Sequence, residues 1–130
     1  MSCPCGSRKS YEKCCGQIHE GKLPETCEEL MRSRYTAYKK KLVDYLLDTT
    51  DPHGPMYPHN IGRWRKDVEQ FCQYTSFDKL EVHHAMQEGD EGEVFFTAHL
   101  TQNGEDASFT ERSAFVNKGG RWFYHHGEVH

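Results

Sequence analysis

No stretch of this sequence approaches the roughly 20 consecutive apolar residues that a membrane-crossing helix needs. The N-terminus carries cysteines and charges where an export signal would place an apolar run, so the chain is expected to be cytoplasmic and off the membrane. Internal repeats and low-complexity segments are absent too, which excludes solenoids and biased tails. There is also no excess of basic charge, because the formal net charge is -4 over 130 residues. That total hides a division. Residues 1–24 hold Arg8, Lys9, Lys13 and Lys22 against Glu12 and Glu20, so a basic tip sits on an acidic body. The body should repel nucleic-acid phosphates, so DNA is not an expected partner, and any contact with RNA would come through the tip.

What is present is globular. Hydrophobic residues make up 35% and aromatics 12%, enough for one core with a small appendage but not for two independent cores. From Thr26 the pattern is helical. Thr26-x-x-Glu29 reads as a capping box, and Leu30, Met31, Tyr35, Tyr38, Leu42 and Leu46 recur at spacings of three and four, predicting a helix to about Asp48 that is bent or broken near Lys39. Asp51-Pro52-His53-Gly54-Pro55 ends it. Asn60 then caps a second helix whose inner face is Ile61, Trp64, Val68 and Phe71. After Ser76 the period drops to two through Leu80/Val82, Val94/Phe96/Ala98/Leu100, Phe109/Ser113/Phe115 and Trp122/Tyr124. Short turn signals at Gly89–Gly92, Asn103-Gly104 and Gly119-Gly120 join these four strands as hairpins. Helices first and an antiparallel meander afterwards is an α+β order, with the helices on one face of the sheet.

Four of the six cysteines, Cys3, Cys5, Cys14 and Cys15, fall within thirteen residues. Adjacent Cys14 and Cys15 would make a strained ring if bonded to each other, and Cys3 with Cys5 is hardly better, while the cytosol keeps thiols reduced. Two short chelating pairs folded back by the Gly6-Ser7 turn suit a tetrahedral metal instead. Zn²⁺ is the expected ion, with iron as the lesser alternative. Four thiolates leave no open position for water, so the expected role is structural. Arg8, Lys9 and Lys13 offset the formal -2 of such a site. Cys27 and Cys72 read as ordinary thiols packed on helices. Ser7 and Ser10 have neither a nucleophile elbow nor a phosphate loop around them.

The run Cys3-Pro4-Cys5-Gly6-Ser7-Arg8-Lys9-Ser10-Tyr11-Glu12-Lys13-Cys14-Cys15-Gly16 resembles the SEC-C motif, a zinc knuckle, whose four ligands carry over to Cys3, Cys5, Cys14 and Cys15. Arg8 departs from that pattern, which has glycine there. Leu30 to Tyr38, Glu111 to Phe115 and Trp122 to Tyr124 are similar to the bacterial YchJ family, over nearly the whole length. The resemblance implies a knuckle over residues 1–20 followed by a nuclear-transport-factor-2-like (NTF2-like) domain over 25–130, a cone of helices packed on a curved four-stranded antiparallel sheet. It also implies that His126 replaces an aspartate usual before the glycine.

Such cones often hold a ligand. Arg34, Tyr35 and Tyr38 on the first helix are expected to face Glu111, Ser113, Trp122 and Tyr124 on the sheet, with an Arg–Glu pair that either orients a ligand or only docks the helix. His83-His84 and His125-His126 stand on strands, where neighbours point to opposite faces, so neither pair is expected to chelate. His19 is a conceivable substitute ligand displaced by four cysteines. The leading expectation is a non-enzymatic adaptor whose knuckle docks a protein or ribosomal partner through Arg8, Lys9 and Lys13. The rival is an enzyme or small-ligand binder using Arg34, Tyr35 and Glu111. A homodimer through the open sheet face is compatible with either.

Overall fold

The computed structural model describes residues 2–130. A single 3-10 turn at Tyr11–Lys13 and a short helix α1 (Cys15–His19) precede α2 (Cys27–Lys40). Thr26 caps α2, its hydroxyl accepting from the Glu29 amide at 3.1 Å. The predicted break is real and falls at Lys41, which adopts a left-handed conformation at φ 62° and ends the helix. The Leu42 amide then bonds back to the Ala37 carbonyl at 2.8 Å, and α3 (Val43–Asp48) starts in a new direction. Helix α4 (Ile61–Tyr74) is capped by the Asn60 side chain, which accepts from the Arg63 amide at 3.0 Å.

Helix α4 runs directly into β1 (Thr75–Glu88), followed by β2 (Glu91–Gln102), a two-residue β3 (Glu105–Asp106), β4 (Phe109–Lys118) and β5 (Arg121–Val129). The long strands lie in the order β1-β2-β4-β5, all antiparallel, with β3 hooked onto β2 beyond the Asn103-Gly104 turn. Three extra residues interrupt the ladders: Asp78 and His83 in β1, and His125 in β5. Each bulge sharpens the twist of its strand, and together they curl the sheet around α2.

The inner face of the sheet supplies Phe77, Leu80, Val94, Phe96, Ala98, Leu100, Phe115 and Trp122 to one core with Leu30, Met31 and Tyr35 of α2. A smaller cluster, Ala37, Val43, Leu46, Val68 and Cys72, joins α2, α3 and α4. The segment after α3 straps the β5 edge. Thr49 carbonyl accepts from the Tyr124 amide and the Asp51 amide donates to the Tyr124 carbonyl, both at 2.8 Å. Asp51 holds the turn, accepting from Lys118 Nζ at 2.7 Å and from the His53 amide at 3.0 Å. Among the described residues no helix is long and apolar enough to cross a membrane.

Candidate functional site

The knuckle is a small fold of its own making. The Cys3 amide donates to the Lys9 carbonyl at 2.7 Å and the Gly6 amide to the Cys3 carbonyl at 3.2 Å, closing the first turn. The 3-10 turn then brings Cys14 and Cys15 over that loop. All six cysteines are free, and the sulfurs of Cys3, Cys5, Cys14 and Cys15 lie within 4.8 Å of one another. A tetrahedron with metal–sulfur bonds of about 2.3 Å has edges of roughly 3.8 Å. The Cys5–Cys14 separation of 3.6 Å and the Cys14–Cys15 separation of 4.0 Å match it. The donor set and spacing therefore fit a four-thiolate metal ion. The Cys5 thiol is pulled down to about 4, chiefly because the Cys15 thiol donates to it, and the reciprocal bond pushes Cys15 up. Desolvation pushes Cys14 up, while Ser7 Oγ donates to its sulfur at 3.0 Å.

The knuckle does not swing free of the body. Cys3, Cys5 and Cys15 are buried in the same core as Leu30, Val94 and Phe115. Cys3 Sγ sits 3.8 Å from Thr36 Oγ1 of α2, and the Arg32 guanidinium donates to the Cys5 carbonyl. His19 is a stitch rather than a ligand. Its Nε2 donates to the Ser33 carbonyl and its Nδ1 accepts from the Tyr11 hydroxyl, each at 2.8 Å, so both ring nitrogens are spent. Burial holds the imidazole below its usual value, in keeping with a neutral ring. Lys40 lies 4.0 Å from the centre of the Tyr11 ring and closes the seam.

Arg8 occupies the knuckle's tight turn at φ 71°, a conformation that suits glycine. Arg8, Lys9 and Lys13 are all exposed. Lys9 and Lys13 also line, with Lys22, Arg32 and Glu28, a groove of about 360 Å³ beside Cys14 and Cys15.

A second cavity, of about 290 Å³, opens inside the cone. Six of the seven sequence-predicted pocket residues line it: Arg34, Tyr35, Tyr38, Glu111, Ser113 and Tyr124. The seventh, Trp122, does not. Although it shares a strand face with Tyr124, it lies nearer the hairpin end of β5, packed in the core beside Gly92, which in turn meets Cys27. The expected Arg–Glu pair does not form either. Arg34 Nη1 donates to the Leu46 carbonyl at 2.9 Å, Thr49 Oγ1 at 2.7 Å and Thr50 Oγ1 at 3.3 Å. Its guanidinium stacks 4.6 Å from the centre of the Tyr124 ring. Glu111 instead accepts from Ser113 Oγ and rests against Gly127, where any Cβ would collide with its carboxylate. Tyr35 is buried, and its hydroxyl is fully enclosed with no hydrogen-bond partner among the described residues; desolvation pushes it up to about 12. Burial likewise pushes Tyr124 up, with Glu111 adding to the rise and Arg34 opposing it.

Sequence reasoning missed Thr49 and Thr50, whose clasp on Arg34 depends on the strap to β5, and Met56 at the cavity wall. No local pattern marks them. It also erred on one histidine pair. His125 is the bulged residue of β5, so strict alternation fails there, and its Nδ1 comes within 2.7 Å of His126 Nδ1. His83 bonds Thr97 Oγ1 at 2.7 Å.

Fold and cysteine cluster together define an NTF2-like cone carrying an N-terminal SEC-C-type knuckle. Residues 26–127 match the profile of the YchJ middle NTF2-like domain. The chain belongs to the YchJ family. It is 36% identical to a UPF0225 protein of Shewanella sp. (strain MR-4), over 97% of this chain and 79% of that one. A UPF0225 protein of Vibrio vulnificus (strain YJ016) is 37% identical over 95% of this chain and 72% of its own. Among solved structures, a SEC-C motif containing protein from Rhodopseudomonas palustris superposes with a TM-score of 0.86 at 34% identity, covering 100% of this chain and 99% of that one.

Proposed function

We propose that this protein is a zinc-stapled small-ligand-binding domain, in which the metal holds the fold and the cone cavity is the working site. One observation carries the reading: three of the four clustered cysteines are core residues continuous with the sheet, whereas the cavity is lined by Arg34 and Glu111, neither of which has an oppositely charged partner among the described residues. A metal coordinated by four thiolates and enclosed in a core has no position for substrate or water. Residues Cys3, Cys5, Cys14 and Cys15 would hold the zinc, and it would supply stability rather than chemistry. The cavity is at the small end of ligand sites and is walled mainly by aromatic rings with a few polar groups, the usual composition of such sites.

The reading is tested by titrating isotope-labelled, zinc-loaded protein with 2-phenylethanol, a neutral aromatic probe. Resonances of Phe96, Ala98, Phe109 and Glu111 are expected to move while those around Cys14 stay put. Immobility of the cavity signals with this probe and with its carboxylate, amine and amino-acid analogues alike would remove the reading.

A second reading, docking through the knuckle, is favoured by the exposed cations Arg8, Lys9 and Lys13 and by the groove beside them. Its occupant would be an acidic segment of a protein or ribosomal partner. Charge reversal of the three residues is expected to abolish co-sedimentation or capture. Equal recovery of wild type and variant would end the docking reading.

A further inference from the structure

The cavity contains two charges of opposite sign that do not meet. Arg34 is only 9% exposed, and its Nη1 is saturated by one carbonyl and two hydroxyls of the protein, all neutral. Among the described residues no carboxylate lies within salt-bridge reach of it. Among the described residues its Nε and Nη2 make no protein hydrogen bond and neither is a fully enclosed, partnerless atom, and Arg34 lines the cavity. On the sheet side Glu111 receives only the Ser113 hydroxyl, and again no described cation lies within reach. Tyr124 lies between the two, stacked under the guanidinium and with its hydroxyl beside Gly127, on which the Glu111 carboxylate rests.

Arg34 is buried and Glu111 half-buried, and a charge taken out of water is ordinarily paired, because desolvation is costly. Here the simplest remedy, direct contact between Arg34 and Glu111, is not taken. The Gly127 seat holds the carboxylate on β4 and the Thr49–Thr50 clasp holds the guanidinium on α2, so each is kept in place by its own element. A molecule bearing both charges would satisfy both groups.

We infer that the cavity binds a zwitterionic aminocarboxylate with a compact apolar body, the amino-acid class of ligand. Its carboxylate is received by the free nitrogens of Arg34, which suit planar two-point recognition. Its ammonium goes to Glu111, and its side chain is covered by Phe77, Phe96, Phe109 and Phe115. A volume of about 290 Å³ limits the body to about one ring or one branched aliphatic chain. This inference rests on the ligand-binding reading above and narrows it.

The experiment uses the zinc-loaded full chain and four probes sharing one body: L-phenylalanine, 3-phenylpropanoate, phenethylamine and 2-phenylethanol, each titrated by calorimetry and by amide resonance shifts. L-Phenylalanine is expected to bind at least tenfold more tightly than either singly charged analogue. Glu111→Gln is expected to remove that advantage while leaving 3-phenylpropanoate within twofold. Arg34 variants are less decisive, since Arg34 also ties α3 to α2, so Glu111→Gln, checked for an unchanged unfolding midpoint, carries the decision. If 2-phenylethanol moves the cavity resonances but L-phenylalanine binds no better than it, or if Glu111→Gln changes nothing, the zwitterion inference falls and the ligand-binding reading stands. If no probe moves those resonances, both fall.

Discussion

At the scale of single residues, Arg8 shows how a departure from a motif leaves a physical trace. An L-residue with a Cβ held at φ 71° costs about 1–2 kcal/mol, against which glycine loses about 0.5–1 kcal/mol of extra unfolded-state entropy. Arg8→Gly is therefore expected to stabilise the zinc-loaded protein by about 0.5–1 kcal/mol in denaturant titration; a loss of stability would mean that the Arg8 side chain makes a compensating contact. The four sulfur positions were legible from sequence because both chelating pairs and the turn between them lie within one short segment. The fate of Arg34 was not, because its partners Thr49 and Thr50 reach it only once the strap has paired with β5. His19 was weighed as a metal ligand, when its ring is committed to Tyr11 and Ser33.

Elements were more readable than their interruptions. Caps at Thr26 and Asn60 and the alternating runs of the sheet are properties of neighbouring residues, so the helix-then-meander order could be written down in advance, and the break after α2 was misplaced by only two residues. A bulge is different: it depends on a mismatch between two strands, and a period-two count along one of them cannot see it. That is why His125 and His126 were assigned to opposite faces while their ring nitrogens converge. Strand β5 also carries a steric requirement. A Cβ at Gly127 would lie 2.6 Å from Glu111 Cδ and 2.8 Å from the Tyr124 hydroxyl. Gly127→Ala is expected to cost about 1–3 kcal/mol through overpacking and to displace the Glu111 carboxylate from its seat. An unfolding midpoint equal to wild type, with Glu111 unmoved in the variant's structure, would contradict this.

At the scale of the whole molecule, the sequence suggested a boundary between residues 1–20 and 25–130, and the structure shows that one hydrophobic core crosses it. No pattern within either segment announces this, since it arises where Cys3, Cys5 and Cys15 meet α2 and the sheet. Metal removal should accordingly be felt everywhere. Chelation under reducing conditions is expected to cost at least ~3 kcal/mol, lowering the midpoint of a single unfolding transition by roughly 10 °C or more. Two separate transitions, with the second unchanged by chelator, would show that knuckle and cone melt independently.

Helix α2 presents Arg32 and Thr36 to the sulfur cluster and Arg34, Tyr35 and Tyr38 to the cavity, so its two working faces alternate within two turns. A rigid rod cannot rotate one face without the other. On the proposed reading, with zinc in the cluster and a ligand in the cone, metal loss or thiol oxidation would therefore weaken the cavity without touching a single atom that lines it, and occupancy of the cone would report on metal and redox supply.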